Sequence, residues 1–320
     1  MGRSGGGQDG PPTGRLVTLL RAARVHFWPV SVLPVLVGST LPFWLRPAGF
    51  VWNTGRFVLT ALAVLLIHIA SNLANEYHDD KSAADGANPR HGALSGGSGL
   101  LQSGAVRPRA YLTGAVACYA TALVLGLWLN ALVPGNLVLA LGIVGALGGY
   151  FYTAPPLRLA YRGLGEVAVG LLFGVLPVVG ACYVQVGRLS WQALVASLPV
   201  AFAVVLVLWV NEIADAEADA AAGKRTLVVK VGARAAGRGG ALALAVLVFA
   251  GLFAGVFTAA LIPLTLVFVL AFGTARTVVV DCWTNYSKPA RLADAQRAAL
   301  KMHAALGLIV GLSALVAIGW

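Results

Sequence analysis

Residues 56–80 read RFVLTALAVLLIHIASNLANEYHDD, a long apolar run that ends in a cluster of acidic side chains. An apolar α-helix of about 20 residues crosses the roughly 30 Å hydrocarbon core of a bilayer. A second acidic cluster, which starts at Asn211, also follows a long apolar run. Carboxylates this close to a bilayer are costly unless a partner cation or a functional site compensates them. The stretch therefore predicts a membrane-spanning helix with a functional site at its end.

The whole chain has the composition of a membrane protein. Of its 320 residues, 58% are hydrophobic and 11% are charged, and the mean hydropathy is +0.82. A soluble domain carries about a quarter charged residues. We therefore predict an all-α polytopic membrane protein, in which nine helices surround a central cavity beneath a cytoplasmic cap of long loops. The predicted spans are residues 26–45, 56–76, 110–132, 134–153, 164–186, 193–213, 239–260, 262–281 and 300–319.

The ends of the chain set the predicted domain organisation. Residues 1–14 are rich in Gly, Pro and Ser and are predicted to be a disordered tail. Residues 15–320 are predicted to form a single transmembrane domain.

The distribution of basic residues predicts the orientation. With the N-terminus inside, 20 of the 23 Lys and Arg residues fall on the inner side, and only Arg46, Arg56 and Arg188 fall outside. Inner loops of membrane proteins carry such an excess of positive charge. This predicts a multi-pass cell-membrane protein with both acidic clusters on the cytoplasmic side. The net charge of +11 then reflects orientation and contact with anionic lipid, so no nucleic-acid partner and no protein partner is predicted.

The two acidic clusters repeat one pattern. Asn-Glu-x-x-Asp occurs at Asn75 and again at Asn211, 136 residues later, and the two clusters hold eight of the twelve carboxylates. His68, Asn72, Asn75, Glu76 and Asp79 share one helical face, as do Asn211, Asp215 and Asp219. A solvated helix end explains most charges beside a membrane. Two matched clusters that face one compartment favour a shared site instead.

Two facing acidic clusters are typical of proteins that hold Mg²⁺ against a diphosphate. Mg²⁺ binds through one or two carboxylates and completes its octahedral shell with water and substrate phosphates. The candidate metal ligands are Asp79, Asp85, Asp215 and Asp219. The candidate substrate-binding residues are Asn72, Asn75, Asn211, Arg24, Lys81, Arg90 and Lys224.

Residues 72–79 (NLANEYHD), with Asp85 beyond them, resemble the first aspartate-rich motif of the UbiA superfamily of intramembrane prenyltransferases. Their spacing is closer to the branch that prenylates dihydroxynaphthoate for menaquinone than to the hydroxybenzoate branch. Residues 211–219 and 223–227 resemble the second motif. Further similar pieces are residues 150–156, 163–166 and 183–185 and His303. The resemblance covers essentially the whole chain.

The resemblance implies an Mg²⁺-dependent transfer of a prenyl group from a polyprenyl diphosphate to an aromatic acceptor, with 1,4-dihydroxy-2-naphthoate as the expected acceptor. Asp79 and Asp215 are then expected to be catalytic through the metals that stabilise the departing diphosphate. Tyr150 and Tyr152 are candidates for cation–π stabilisation of the allylic cation. Tyrosines are also common at membrane interfaces because their amphipathic rings suit the headgroup region, so both interpretations of these two residues stay open.

The sequence departs from the family pattern in three places. Glu76 replaces the more usual Asp of the first motif. Ala83 stands where the hydroxybenzoate branch has its third aspartate, so Asp85 must take the place of that aspartate. Residues 96–104 lack the basic residue often found there, and Arg90 is the nearest substitute.

Other functions compete with this hypothesis. The acceptor can be another phenol such as 4-hydroxybenzoate, or the same scaffold can act as a membrane terpene cyclase that needs no acceptor. A secondary transporter is the non-enzyme alternative, although the acids here lie at one interface and not at mid-span. The identity of the general base also stays open. Glu76 or Glu212 can act as the base if it is not bound to metal, and His68 is a weaker candidate.

Overall fold

Long apolar stretches of the sequence form long α-helices. The computed structural model describes residues 14–82, 94, 97–256 and 261–316, and these residues contain no β-strand. The predicted site residues Asp85 and Arg90 lie outside the described residues, as do residues 1–13 of the predicted tail. The helices are α1 (Arg15–Ala22), α2 (Trp28–Leu45), α3 (Thr54–Lys81), α4 (Pro108–Ala131), α5 (Leu137–Tyr150), α6 (Gly165–Val169), α7 (Leu176–Val186), α8 (Trp191–Ala221), α9 (Leu227–Val231), α10 (Ala233–Ala235), α11 (Ala241–Val256), α12 (Leu261–Asn285) and α13 (Ala293–Val316).

Five helical stretches among the described residues are long and apolar enough to cross a membrane. They are Val25–Leu45, Thr54–Lys81, Pro108–Ala131, Gly165–Val186 and Trp191–Ala221. They confirm the first, second, third, fifth and sixth predicted spans. Helix α5, at the fourth, is apolar but shorter. Helices α11, α12 and α13 occupy the last three predicted spans, and the count of nine stays a prediction.

The first predicted span begins in a break between helices. Arg24 adopts the left-handed conformation, with φ at 48°, and separates α1 from α2. Helix α1 is short, and Leu16 and Leu19 on it are exposed. The break turns the chain into α2 and leaves Arg24 at the end of the helix bundle.

Small residues bring the central helices into close contact. Gly38 of α2 lies directly against the backbone of Val178 in α7, where even a methyl group would collide with the carbonyl. Gly174, in the π-helical stretch between α6 and α7, lies equally close to Ala201 of α8. Membrane helices associate through such small residues because their backbones can approach closely. These contacts fix α2, α7 and α8 around one interior space.

Helices α3 and α8 both continue through their acidic clusters. They therefore extend beyond the predicted spans, which end at residues 76 and 213, because helix continues to Lys81 and to Ala221. No Gly or Pro interrupts either cluster, and Ala and Glu favour helix. After α8 the chain turns at Gly223, whose φ is +72°. The aspartates therefore stand on rigid helices and not on loops.

The predicted orientation can be tested by cysteine labelling. Arg188, between α7 and α8, and Glu217, near the other end of α8, are both exposed. In a variant whose three native cysteines are replaced by Ala, we expect a membrane-impermeant maleimide to label Arg188→Cys in intact cells. Glu217→Cys should react only after the membrane is opened. Labelling of both positions from the same side would contradict a membrane span between them. Labelling of Glu217→Cys in intact cells, with Arg188→Cys reacting only after the membrane is opened, would contradict the predicted orientation.

Candidate active site

The acidic ends of α3 and α8 meet around one lysine. The Nζ atom of Lys224 lies 3.3 Å from Oδ2 of Asp79 and 3.8 Å from Oδ1 of Asp219. The three side chains are 16%, 7% and 13% exposed, respectively. Lys224 is held by the turn after α8, where its backbone N–H donates to the carbonyl oxygen of Asp219 at 2.8 Å. The fold thus brings the two clusters, distant in sequence, within reach of one ammonium group.

The charge on Lys224 is fixed by its surroundings. Burial lowers the pKa of Lys224, but the carboxylates of Asp79 and Asp219 outweigh burial and raise that pKa well above its ordinary value. Lys224 is therefore an ammonium ion at physiological pH. It is a permanent positive charge at the end of the helix bundle, next to the carboxylates that were predicted to bind metal.

Tyr161 is a site residue that the sequence analysis missed. Its hydroxyl donates to Oδ1 of Asp79 at 2.8 Å and lies 2.6 Å from Oγ of Ser82. Burial raises the pKa of Tyr161 to about 12, and the negative charge of Asp79 adds to the effect. The phenol therefore stays protonated and orients the Asp79 carboxylate. No sequence signal pointed to it, because a single tyrosine in a basic loop is ordinary at a membrane interface.

Glu76 fastens a loop and is not a free base. The backbone N–H and the hydroxyl of Ser98 donate to its two carboxylate oxygens at 3.1 and 2.5 Å. The carbonyl of Ser98 in turn accepts from Nε of Arg21 at 2.9 Å. Glu76 is buried, so its negative charge is compensated by these donors. Its two oxygens are engaged, which makes Glu76 a poor candidate for the general base.

A cavity with polar side chains on its wall lies one helical turn from Asp79, since Asn75 of α3 lines it. It holds about 780 Å³ of empty space, counting the part open to solvent, and is lined by predicted site residues and by apolar side chains such as Phe27 and Val207. The predicted residues on its wall are Arg24, Asn72, Asn75, Tyr152 and Asn211.

Three amides on this wall lack partners. Nδ2 of Asn72, Oδ1 of Asn75 and Oδ1 of Asn211 are buried, and none has a hydrogen-bond partner among the described residues. Buried polar groups are normally hydrogen-bonded, so an orphaned set calls for an explanation such as an absent ligand or ion. These atoms are therefore the natural contacts of a polar ligand in the cavity.

A second cavity adjoins the first and is almost wholly apolar. It holds about 850 Å³ of empty space, counting the part open to solvent, and α3, α4, α5 and α7 form most of its wall. Gly126, Gly142 and Gly145 line it without filling it, since a methyl group at any of them would meet no atom within 4 Å. The residues shared by both cavities are His68, Ser71, Gly149, Leu172 and Phe173. A cavity with polar groups that adjoins an apolar one suits a ligand with a charged head and a hydrocarbon tail.

The remaining predicted residues lie less directly at the site. The ring of Tyr150 packs against His78, with ring centres 5.6 Å apart, and Tyr150 is not among the residues that line either described cavity. Lys81 is exposed, and its ammonium lies 4.6 Å from the ring centre of Tyr77. Asp215 is half-buried on α8, one turn before Asp219.

The carboxylates fit a metal that also binds its substrate. Among the described residues, no group of three or more His, Cys, Asp or Glu side chains is close enough to form a complete protein cage for a metal ion. Mg²⁺ does not need one, because it binds through one or two carboxylates plus water and phosphate oxygens. Asp79 and Asp219 supply two carboxylates that meet at Lys224, at the ends of the helices whose Asn75 and Asn211 line the cavity. The donor set therefore fits Mg²⁺ together with a phosphate-bearing ligand.

Sequence comparison identifies relatives of this chain. Residues 31–315 match the model of the UbiA prenyltransferase family. A Bacillus subtilis protein named 1,4-dihydroxy-2-naphthoate octaprenyltransferase is 31% identical over 233 residues, which are 72% of this chain and 72% of that protein. A Mycobacterium tuberculosis protein of the same name is 33% identical over 210 residues, which are 66% of this chain and 68% of that protein.

Solved structures share the fold. A UbiA homolog from Archaeoglobus fulgidus, bound to GPP and Mg²⁺, has a TM-score of 0.68 at 17% identity and covers 94% of this chain and 99% of its own. The apo structure of a UbiA homolog from Aeropyrum pernix has a TM-score of 0.66 at 19% identity, with 91% and 98% covered. The chain therefore belongs to the UbiA prenyltransferase family, and it is an enzyme that transfers an alkyl group.

Proposed function

We propose that this enzyme transfers a prenyl group from a polyprenyl diphosphate to 1,4-dihydroxy-2-naphthoate or a close bicyclic relative, with Mg²⁺ as cofactor. The observation that carries the proposal is the pair of adjoining cavities, one lined by Arg24 and three asparagines and the other almost wholly apolar, which share part of their walls. The acceptor is supported by the names of relatives that are 31% and 33% identical.

The diphosphate end of the donor binds at the polar mouth. Arg24 lines this cavity, and Lys224 is a permanent cation held by Asp79 at the end of α3. Asn72 has an unpartnered amide donor for phosphate oxygens. Asp79, Asp215 and Asp219 would hold Mg²⁺, which when bound neutralises the charge that accumulates on the departing diphosphate. Asp85, Arg90 and Lys81 stay proposed contacts from the same cluster.

The hydrocarbon tail occupies the apolar channel. Each buried CH₂ group contributes about 0.8 kcal/mol of transfer free energy, so a long tail binds chiefly through this channel. The open glycines Gly126, Gly142 and Gly145 leave space for it between α4 and α5. A donor that lacked the tail would lose most of this binding energy.

The reaction breaks the C–O bond between the prenyl carbon and the diphosphate, and the bonding electron pair leaves with the diphosphate. The allylic cation is attacked by an electron-rich carbon of the acceptor ring, which then loses a proton or its carboxylate as CO₂. Tyr152 stands on the cavity wall and offers its ring to the cation. Tyr150 lies outside the cavity lining, so Tyr152 is the better candidate for this role.

We place the enzyme in the cell membrane as a multi-pass protein, with the active site facing the cytoplasm. The excess of Lys and Arg near the acidic ends of α3 and α8 supports this orientation. A tail channel between helices also suits a donor that arrives from the bilayer.

The proposal is tested by supplying the purified enzyme with Mg²⁺, a polyprenyl diphosphate and either dihydroxynaphthoate or 4-hydroxybenzoate, and weighing the products. We expect prenylated naphthoquinol product to form faster than prenylated hydroxybenzoate. A difference of one methylene in an apolar pocket changes the preference between two substrates only about 10- to 200-fold. The rates with the two acceptors are therefore compared directly. A faster reaction with hydroxybenzoate would assign another phenolic acceptor. A cyclised hydrocarbon formed without any acceptor would assign a terpene cyclase.

A further inference from the structure

A surface groove with two arginines on its wall lies where α11 begins and α12 ends. It holds about 940 Å³ of empty space, counting the part open to solvent. None of the residues that line it lines either of the two cavities described above. The residues on its wall are Val231, Gly232, Arg234, Ala235, Arg238 and Gly239.

The backbone of the groove is fixed against its neighbours. Residues Ala236–Gly240 form a π-helical stretch, and such stretches inside helices are frequent at functional sites. The indole N–H of Trp209 donates to the carbonyl oxygen of Ala236 at 3.1 Å. Gly237 lies against the carbonyl of Cys282 in α12, where a methyl group would collide. The π-helical stretch is therefore held from both α8 and α12.

Arg238 carries a charge that the protein does not neutralise. Its guanidinium lies 5.8 Å from the ring centre of Trp283 and 5.6 Å from that of Tyr286, within the range of cation–π contacts. Its Nε atom is buried and has no acceptor among the described residues. Arg234, four residues earlier, lines the same groove. Neither arginine forms an ion pair with a carboxylate of the described residues.

Basic side chains elsewhere at this end of the bundle bind the protein itself. Lys224 forms an ion pair with Asp79, and the ammonium of Lys230 donates to the carbonyl oxygen of Arg162 at 2.5 Å. Arg162 donates to the carbonyl oxygen of Pro156 at 2.9 Å. Basic residues can stand in inner loops for topology alone. Two unpaired arginines that share one groove indicate an anionic ligand instead.

The surroundings of the groove favour an anion that also carries hydrocarbon. Val231 on the groove wall is exposed, and so are Leu242 and Val246 on the following turns of α11. Both lie in the predicted span 239–260. Trp283, beside Arg238, is 46% exposed, and tryptophan is enriched at the level of the lipid headgroups. An anionic phospholipid offers a phosphate to the arginines and acyl chains to the apolar side chains.

We propose that this groove binds an anionic phospholipid of the adjacent leaflet, with the phosphate and headgroup against Arg234 and Arg238 and the acyl chains along α11. Guanidinium groups suit this ligand because they bind phosphate oxygens through two parallel N–H groups. The bound lipid fixes the segment between α9 and α11 to the membrane surface. It therefore stabilises the folded protein without entering the substrate cavity.

The first test counts bound lipid by native mass spectrometry of the purified full-length enzyme, supplied with equal amounts of phosphatidylglycerol and phosphatidylcholine. We expect the wild type to retain phosphatidylglycerol in preference. The double variant Arg234→Gln/Arg238→Gln should bind it about 10- to 30-fold more weakly, since each basic residue near an anionic headgroup strengthens binding roughly fivefold. The control Arg291→Gln, which alters an exposed arginine outside the groove, should behave as the wild type.

A second variant keeps both charges and fills the groove. Gly239→Phe adds its ring at a position where a methyl group meets no atom within 4 Å, so the fold should tolerate it, and circular dichroism checks the helix content of every variant. We expect Gly239→Phe to lose the preference for phosphatidylglycerol as well. Wild-type preference in both the double variant and Gly239→Phe would overturn the proposal.

The second test separates a lipid from free phosphate. The melting temperature of the detergent-purified enzyme is measured with phosphatidylglycerol, with phosphatidylcholine and with inorganic phosphate. Phosphatidylglycerol should raise it in the wild type and in Arg291→Gln but not in the double variant, and the other two additions should cause no shift that depends on the arginines. An equal, arginine-dependent shift with inorganic phosphate would assign a phosphate site and contradict a lipid site. Equal shifts with the two lipids would also contradict it.

Discussion

Asp79→Asn and Asp219→Asn enzymes are expected to transfer prenyl groups about 100- to 1,000-fold more slowly than the wild type. Each substitution keeps the size of the side chain but removes a negative charge beside Lys224. The proposed Mg²⁺ ion then loses a carboxylate ligand, and the departing diphosphate loses its stabilisation. The loss of rate is measured with purified proteins, as the initial rates of diphosphate release and of prenylated-product formation.

Asp80→Asn is the matched control for Asp79→Asn. Asp80 is the next residue on α3, and its Oδ1 accepts from the exposed side chain of Gln102 at 3.2 Å. We expect its rate to stay close to that of the wild type, because surface substitutions away from a site have small effects. A wild-type rate in Asp219→Asn would contradict the assignment of Asp219 as a metal ligand. A loss of rate in Asp80→Asn equal to that in Asp79→Asn would contradict the assignment of Asp79.

Removal of divalent metal is expected to abolish turnover. The carboxylates near the cavity mouth do not form a complete metal cage among the described residues, so the proposed Mg²⁺ is held jointly with the diphosphate and is easily withdrawn. EDTA should therefore stop product formation, and excess Mg²⁺ should restore it. The rate of prenyl transfer is followed before chelation, after it and after Mg²⁺ is returned. A rate that is unchanged in EDTA would rule out metal-assisted departure of diphosphate.

Much of the helical framework could be predicted from the sequence because hydrocarbon imposes a length on every apolar run. The predicted spans begin within a few residues of α3 and α8. They end at residues 76 and 213, where hydropathy falls, whereas the helices continue to Lys81 and Ala221. Only the shared helical face of each acidic cluster predicts this continuation. The break at Arg24 was also missed, since a left-handed arginine leaves no mark in composition.

The candidate site was predicted as a set of residue types but not as a set of contacts. The repeated pattern identified Asp79 and Asp215, and Asp219 lies just beyond the second copy. The fold brings Asp79 and Asp219 to one lysine. Tyr161 could not be found in this way, because it becomes part of the site only when a distant loop folds over the helix ends. Tyr150 and Tyr152 are two residues apart in sequence, yet only Tyr152 lines the described cavity. Backbone direction at the end of α5 decides between them.

The most direct test of the central claim is a calorimetric titration of the purified enzyme with a non-reactive prenyl thiodiphosphate, with and without Mg²⁺. We expect binding that requires Mg²⁺ and that is weakened about tenfold or more in Asp219→Asn, since the lost carboxylate orients the metal and the diphosphate. Equal affinity in the presence and absence of Mg²⁺, together with unchanged affinity in Asp219→Asn, would show that the ends of α3 and α8 are not a metal-diphosphate site.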